Sequence, residues 1–386
     1  MFSSQRRGLL ALAGALVFAL SSTQPSPGFA EDKLLAEAVE MTGTMLFLQT
    51  RVPAFVIGAI RNDETVVYGF GKITPDRDQA PDGDTILRIG SISKAFTGAV
   101  LASLVADGSV KLTDRLQDHL TWDVAVPEAE GKPIRLIELA THSSGLPREV
   151  DRAPGPPEDP FRTLTKDAYI AGLKSNPLLF PPGTGILYSN FAFDLLGAAL
   201  SEAAGRPYGE LLRERVLDPA GLKDTTISLR DADRNRVMQG HDFDGKPLPL
   251  VTTPEVMAGA SSLYSTPNDM LRWLRWHLDR FSPQDAEMRL LDHAIYLPRE
   301  GMSPAYGLDE AGHGDAMGLG WVVMRPADGR PLILQKSGGL QGTFSYIAFA
   351  PQHGIGVFVA INSFDIGAIE AISGAVNELI GQMAPD

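Results

Sequence analysis

Three short stretches of this 386-residue chain combine residue types that could activate a hydroxyl. Ser91 and Lys94, in Arg88-Ile-Gly-Ser-Ile-Ser-Lys-Ala-Phe96, place a serine three residues before a lysine. Of the ten lysines, only Lys94 has a serine at that spacing. Residues three apart on a helix share a face, so the amine reaches the hydroxyl as a base reaches its nucleophile. Tyr188-Ser189-Asn190 is the only Tyr-x-Asn and Lys336-Ser337-Gly338 the only Lys-[Ser/Thr]-Gly. Taken alone, a Ser-x-x-Lys pair is expected about once by chance in a chain of this length; three elements in this order are the signature of active-site-serine enzymes that form acyl intermediates. Here Tyr-Ser-Asn stands for Ser-Asp-Asn, and serine replaces threonine in the third element.

The elements that must position these residues are legible from periodicity. Apolar residues at Ile92, Phe96, Val100, Leu101, Leu104 and Val105 predict a helix that closes at Asp107-Gly108, with Ser91 at its start. The orphan N–H groups there favour the negative charge of an oxyanion. A helix over Leu34 to Gln49, a hairpin of Phe55–Ile60 and Thr65–Phe70 across Asn62-Asp63-Glu64, and further helices over Leu195–Ala204, Tyr208–Val216 and Asp269–Leu278 follow from the same reading. Toward the C-terminus, Trp321–Met324, Leu332–Gln335, Ser345–Phe349 and Val357–Ile361 read as strands, with turns at 327–329 and Pro351–Gly354 and a closing helix from Ile366 to about Ile380. Met270, Trp273, Leu274 and Leu278 recur at core spacing, and Arg272 and Arg275 form a solvated face of the same helix.

The chain resembles the class C β-lactamase-related family of β-lactamases, DD-peptidases and serine-lysine esterases. The likeness extends to Leu139-Ala-Thr-His-Ser-Ser-Gly-Leu-Pro147, Tyr188-Ser-Asn-Phe-Ala-Phe-Asp-Leu-Leu196, Leu263-Tyr-Ser-Thr-Pro-Asn-Asp-Met270, Met317-Gly-Leu-Gly-Trp321 and Gln335-Lys-Ser-Gly-Gly339. Within the family it is most like the AmpH-type DD-carboxypeptidase/DD-endopeptidases. The resemblance implies an antiparallel sheet flanked by helices, with an inserted, mostly helical lobe and Lys336 on an edge strand facing Ser91. The expected division is a leader over 1–30, a sheet lobe over 31–90 and 316–386, and a helical lobe over 91–315. It further implies Lys94 as base in acylation and Tyr188 relaying the proton. Burial beside Lys336 would lower the Lys94 pKa, and two nearby ammonium groups would favour a Tyr188 phenolate. Asn190 would hold the substrate amide, Lys336 and Ser337 a terminal carboxylate, and the Ser91 and Gly339 amides the oxyanion, with Gly338 between.

Composition constrains the setting. Arg6-Arg7, the apolar run Leu9–Leu20 and the small-residue end Gly28-Phe29-Ala30 read as a secretory leader cut after Ala30. Were it retained, it would leave the protein weakly membrane-associated. With no cysteine, lipoprotein attachment, disulfides and thiol catalysis are excluded, which suits a bacterial periplasm. A net charge of −13 argues against nucleic acid and polybasic membrane contact. There is no Gly-x-Ser-x-Gly elbow, and neither His-Glu-x-x-His nor a clustered histidine–carboxylate set suggests a metal. No cofactor is implied. His142 is expected to bond backbone in its loop rather than act as a base.

Four functions compete on these residues. A periplasmic DD-peptidase on peptidoglycan stem peptides would also bind β-lactams, and a β-lactamase differs from it only in how fast water removes the acyl group. An esterase is favoured where the Lys-Thr-Gly element is altered, but Lys336 is retained. A non-catalytic peptidoglycan-binding or β-lactam-sensing protein would show loss of Lys94 or Tyr188, and neither is lost.

Overall fold

Helix α1 (Lys33–Thr50) leads into the hairpin β1 (Ala54–Arg61) and β2 (Glu64–Gly71), whose turn residues Asn62 and Asp63 both take positive φ. The computed structural model describes residues 33–384 apart from Asn176 and Asp328, so the expected leader lies outside the described residues. A 3-10 turn, Gly90–Ile92, then opens helix α2 (Ser93–Ala106), which ends at Asp107 with Gly108 at φ 79°. Ser91 therefore sits in the turn before the helix and not within it. Helices α3 (Asn190–Ala204) and α4 (Pro267–Leu278) follow. Six strands then complete the main sheet: β3 (Leu297–Pro298), β4 (Ala316–Met317), β5 (Val322–Met324), β6 (Ile333–Leu340), β7 (Thr343–Ala350) and β8 (Ile355–Ile361). Helix α5 (Ile366–Met383) closes the chain, capped by the Asp365 carboxylate accepting from the Ala368 amide.

The sheet is antiparallel throughout, in the order β2-β1-β8-β7-β6-β5-β4-β3. Its first strand from the C-terminal half, β3, comes from inside the segment expected to be helical. Both faces of the central strands are covered, so these read as nearly unbroken apolar runs and not as alternating ones. Parity still sorts them. Val56, Ile60, Ile347, Phe349, Phe358 and Ala360 join the core beneath α2 and α4, while Phe55, Ile57, Tyr346, Ala348, Val357 and Val359 join the core under α1 and α5.

Helix α2 is buried on nearly its whole circumference, as its mix of small and apolar residues requires. Phe96 stacks on Trp273 with centroids 3.7 Å apart, and Trp273 in turn on Trp321. Met270, Trp273 and Leu274 are buried as the α4 spacing predicts. Arg272 and Arg275 lie on the more exposed face, where Arg272 pairs with Asp269 and Arg275 bonds the Asp63 carbonyl.

The edge-strand expectation for Lys336 needs correction. Strand β6 is interior, but β5 pairs only with Ile333–Gln335. From Lys336 onward its outer side is open to the Ser91 turn. The strand also runs five residues past its expected end at Gln335, because glycines 338 and 339 hide the β pattern.

Candidate active site

The Ser91 turn is held from several sides. Ser93 Oγ donates to the Gly90 carbonyl at 2.7 Å and accepts from the Leu263 amide at 3.2 Å. Thr343 and Ser345 of β7 donate to the carbonyls of Arg88 and Ile89, each at 3.1 Å. Backbone approaches backbone so closely that a Cβ on Gly338 would lie 2.0 Å from the Ile89 oxygen and 2.8 Å from the Ser91 nitrogen. One on Gly90, at φ 50°, would lie 2.6 Å from the Gly339 nitrogen. The two glycines thus let the Ser91 and Gly339 amides come side by side.

Lys94 is fully buried. Its ammonium donates to Ser91 Oγ at 3.1 Å, to Asn190 Oδ1 at 2.6 Å and to the Ala260 carbonyl at 3.0 Å. Burial, and secondarily the Lys336 charge, lower its pKa to about 7, against the opposing pull of Asp194, Glu310 and Glu149. Lys336 is also buried and lowered to about 8, mainly by desolvation, with Glu310 opposing and Arg148 reinforcing. A primary amine near 7 is a competent base at neutral pH.

Tyr188 occupies the space between them. The Lys94 and Lys336 nitrogens lie 4.8 and 5.1 Å from its ring centroid, and the Arg148 guanidinium 4.6 Å. Its hydroxyl is buried without a complete hydrogen bond, although Ser91 is close enough to favour ionisation slightly. The expected phenolate is not supported: burial raises the Tyr188 pKa, Glu310 adds to the rise, and the favourable effects of Ser91 and Arg148 are smaller.

The Tyr188-Ser-Asn turn is locked by its neighbours. Ser189 caps α3, accepting from the Ala192 amide at 2.9 Å while donating to the Pro147 carbonyl at 2.7 Å. The Ser189 amide donates to His142 Nδ1 at 3.0 Å, so His142 bonds backbone as expected, and burial holds its pKa well below the usual imidazole range. Asn190 departs from a free substrate contact, since its Oδ1 accepts from Lys94 and its amide group donates to Glu149.

An open cleft of about 720 Å³ runs from Ser91 along Ser337, Gly338 and Gly339 to Phe364 and the start of α5, with Arg148 and Glu310 on its wall. Of the predicted residues, Ser91, Ser337, Gly338 and Gly339 line it, whereas Lys336 stays behind it with its ammonium on the Ser337 carbonyl at 2.9 Å. Sequence reasoning missed four contributors. Arg148 and Glu310 pair at 2.8 Å, Glu149 holds Asn190, and the buried Asp194 accepts from Tyr169 and from the Ala260 amide, fixing the carbonyl that Lys94 uses. Arg148 and Glu149 directly follow the Leu139–Pro147 stretch and could have been suspected; nothing near Glu310 marks it.

A family model described as beta-lactamase matches residues 31–373. The chain belongs to the beta-lactamase family. It is a serine hydrolase by that membership and by the arrangement of its site. It is 32% identical over 380 residues to the D-alanyl-D-alanine-carboxypeptidase/endopeptidase AmpH of Escherichia coli K12, covering 98% of this chain and 97% of that one. A beta-lactamase of Pseudomonas fluorescens is 25% identical over 347 residues, covering 85% of this chain and 93% of its own. Among solved structures, a beta-lactamase/D-alanine carboxypeptidase from Yersinia pestis in complex with citrate superposes with a TM-score of 0.82 at 35% identity, over 92% of this chain and all of that one.

The fold brings His277, Asp292 and His293 together behind α2, a histidine–carboxylate set that the sequence reading passed over.

Proposed function

We propose that this family member is a periplasmic D-alanyl-D-alanine carboxypeptidase/endopeptidase acting on peptidoglycan stem peptides through an acyl-enzyme, and that penicillins acylate the same serine. The observation that carries this reading is the Lys94 amine, 3.1 Å from Ser91 Oγ and lowered to about 7. In its neutral form it takes the serine proton as Oγ attacks the penultimate D-alanine carbonyl. The oxyanion then falls between the Ser91 and Gly339 amides, where a single donor is typically worth ~2.7–4 kcal/mol. Tyr188, neutral in its buried site, passes the proton to the departing amine and later orients the deacylating water. Ser337 on the cleft, backed by the Lys336 charge, receives the terminal carboxylate. The name of the Escherichia coli relative and the leader-like N-terminus support the substrate and the compartment.

The second reading is a β-lactamase, supported by the Pseudomonas fluorescens relative. Incubating the mature protein with isolated muropeptides and weighing the products tests the choice. Loss of one alanine from pentapeptides, or splitting of cross-linked dimers, is expected. Intact muropeptides beside steady, rapid cephalosporin turnover would overturn the proposal in favour of the β-lactamase.

A further inference from the structure

Behind the catalytic helix lies a polar cluster that the acyl-transfer machinery does not use. His277 projects from α4, while Asp292 and His293 end the helix Ala286–His293. His277 and Asp292 are fully buried and His293 is half-buried. His277 Nδ1 and His293 Nε2 are 2.9 Å apart, and His277 Nδ1 and Asp292 Oδ2 are 3.6 Å apart. All three ligand atoms fall within 4.8 Å of one another.

The surroundings make this an odd place for a bare carboxylate. The rings of Trp273, Trp276, Trp321 and Phe349 stand 4.7 to 5.2 Å from the His277 imidazole. Asp292 receives one hydrogen bond, from Trp321 Nε1 to Oδ2 at 2.9 Å, and its Oδ1 is buried with no partner. The nearby Arg289 spends its hydrogen bonds on the carbonyls of Ser282 and Gln284. A buried polar atom without a partner is costly, and two histidines and a carboxylate converging in an apolar shell are what a divalent ion uses.

We infer that His277, Asp292 and His293 form a structural binding site for a zinc-class divalent cation, with the fourth position on the His293 side. Tetrahedral zinc with bonds of about 2.0–2.2 Å separates its ligand atoms by roughly 3.2–3.6 Å; the His277–Asp292 separation of 3.6 Å fits, while the histidine nitrogens at 2.9 Å must part and the remaining pair, within 4.8 Å, must close. Mixed imidazole and carboxylate donors suit zinc over calcium or magnesium. Trp321 supplies the outer hydrogen bond that orients the carboxylate. The ion would brace the turn before Trp321, where Gly320 lies against the Lys94 backbone so closely that a Cβ there would sit 2.6 Å from the Lys94 oxygen.

The test uses the whole mature protein after dialysis against a chelator. Zn²⁺ is titrated calorimetrically, Co²⁺ is followed by its visible absorption, and the melting temperature is read with and without Zn²⁺. One ion per chain and a higher Tm are expected. His293→Ala should weaken binding by more than the roughly 10- to 100-fold typical of losing an outer-shell partner. His313→Ala removes an exposed histidine beside Asp309 and Asp315 and should leave binding unchanged. Asp292→Asn serves as a second variant if His293→Ala does not fold, with labelling by fluorescent penicillin as the folding control. Absence of binding to the unmutated protein, undiminished binding in a folded His293→Ala or Asp292→Asn, or binding abolished by His313→Ala would overturn the inference.

Discussion

Lys336→Met separates two roles that the site gives one charge. Both ammonium nitrogens lie about 5 Å from the same Tyr188 ring centroid, so they are at most about 10 Å apart. At that separation, with an effective dielectric near 20, the repulsion is about 1.7 kcal/mol or more. Since one pH unit corresponds to about 1.4 kcal/mol, removing the Lys336 charge should move the Lys94 titration upward by about one pH unit. The direction follows from the chemistry. Only the neutral amine accepts the serine proton, so acylation rises as pH climbs through about 7 in the unmutated enzyme. It should fall again above about 8, where Lys336 loses the charge that attracts the substrate carboxylate. In the variant the rising limb should shift to higher pH and the falling limb should vanish, whatever happens to the amplitude. Single-turnover acylation by a fluorescent penicillin across this range reads both limbs. A rising limb that stays in place or moves to lower pH would show that Lys94 does not carry it, or that Lys336 does not act on it.

Four further outcomes follow from individual residues and contacts. Ser91→Ala should abolish penicillin labelling, and Tyr188→Phe should depress acylation by roughly 10²–10⁴-fold with the fold unchanged by circular dichroism, the range typical of a positioned acid–base group; a Tyr188→Phe loss under tenfold would remove Tyr188 from the proton path. Asp194→Ala strands the Tyr169 hydroxyl and the Ala260 amide, at about 1–3 kcal/mol each, so denaturant melts should show a clear loss of stability, with weaker acylation as the Ala260 carbonyl drifts from Lys94. Peptides with a free C-terminal carboxylate should be cleaved roughly ten- to a hundredfold better than amidated ones, a hydrogen bond to a charged group being worth about 1.5–3 kcal/mol; equal cleavage would point to an esterase or to a site that works only within cross-links.

Much of this was already in the chain's local chemistry. Spacing alone gave the Ser91–Lys94 pair, because three residues make a helical neighbour wherever the helix sits. Apolar patterning gave α1, the first hairpin and α5, because alternation and helical repeats are read within a dozen residues. Resemblance extended this to Tyr188, Asn190 and the Lys336–Gly339 stretch. Tertiary structure decided what those residues experience. The length of β6 was hidden by glycines whose purpose, making room for the Ser91 turn, lies some 250 positions away. The lowered pKa of Lys94 is set by desolvation and by Lys336, and desolvation likewise raises that of Tyr188 and so opposes the expected phenolate. Glu310, Asp194 and the His277–Asp292–His293 set carry no local signature, since each matters only through partners brought near by folding. Sequence records which groups can share a face, but burial and charge act through space, and only the packed chain fixes those distances.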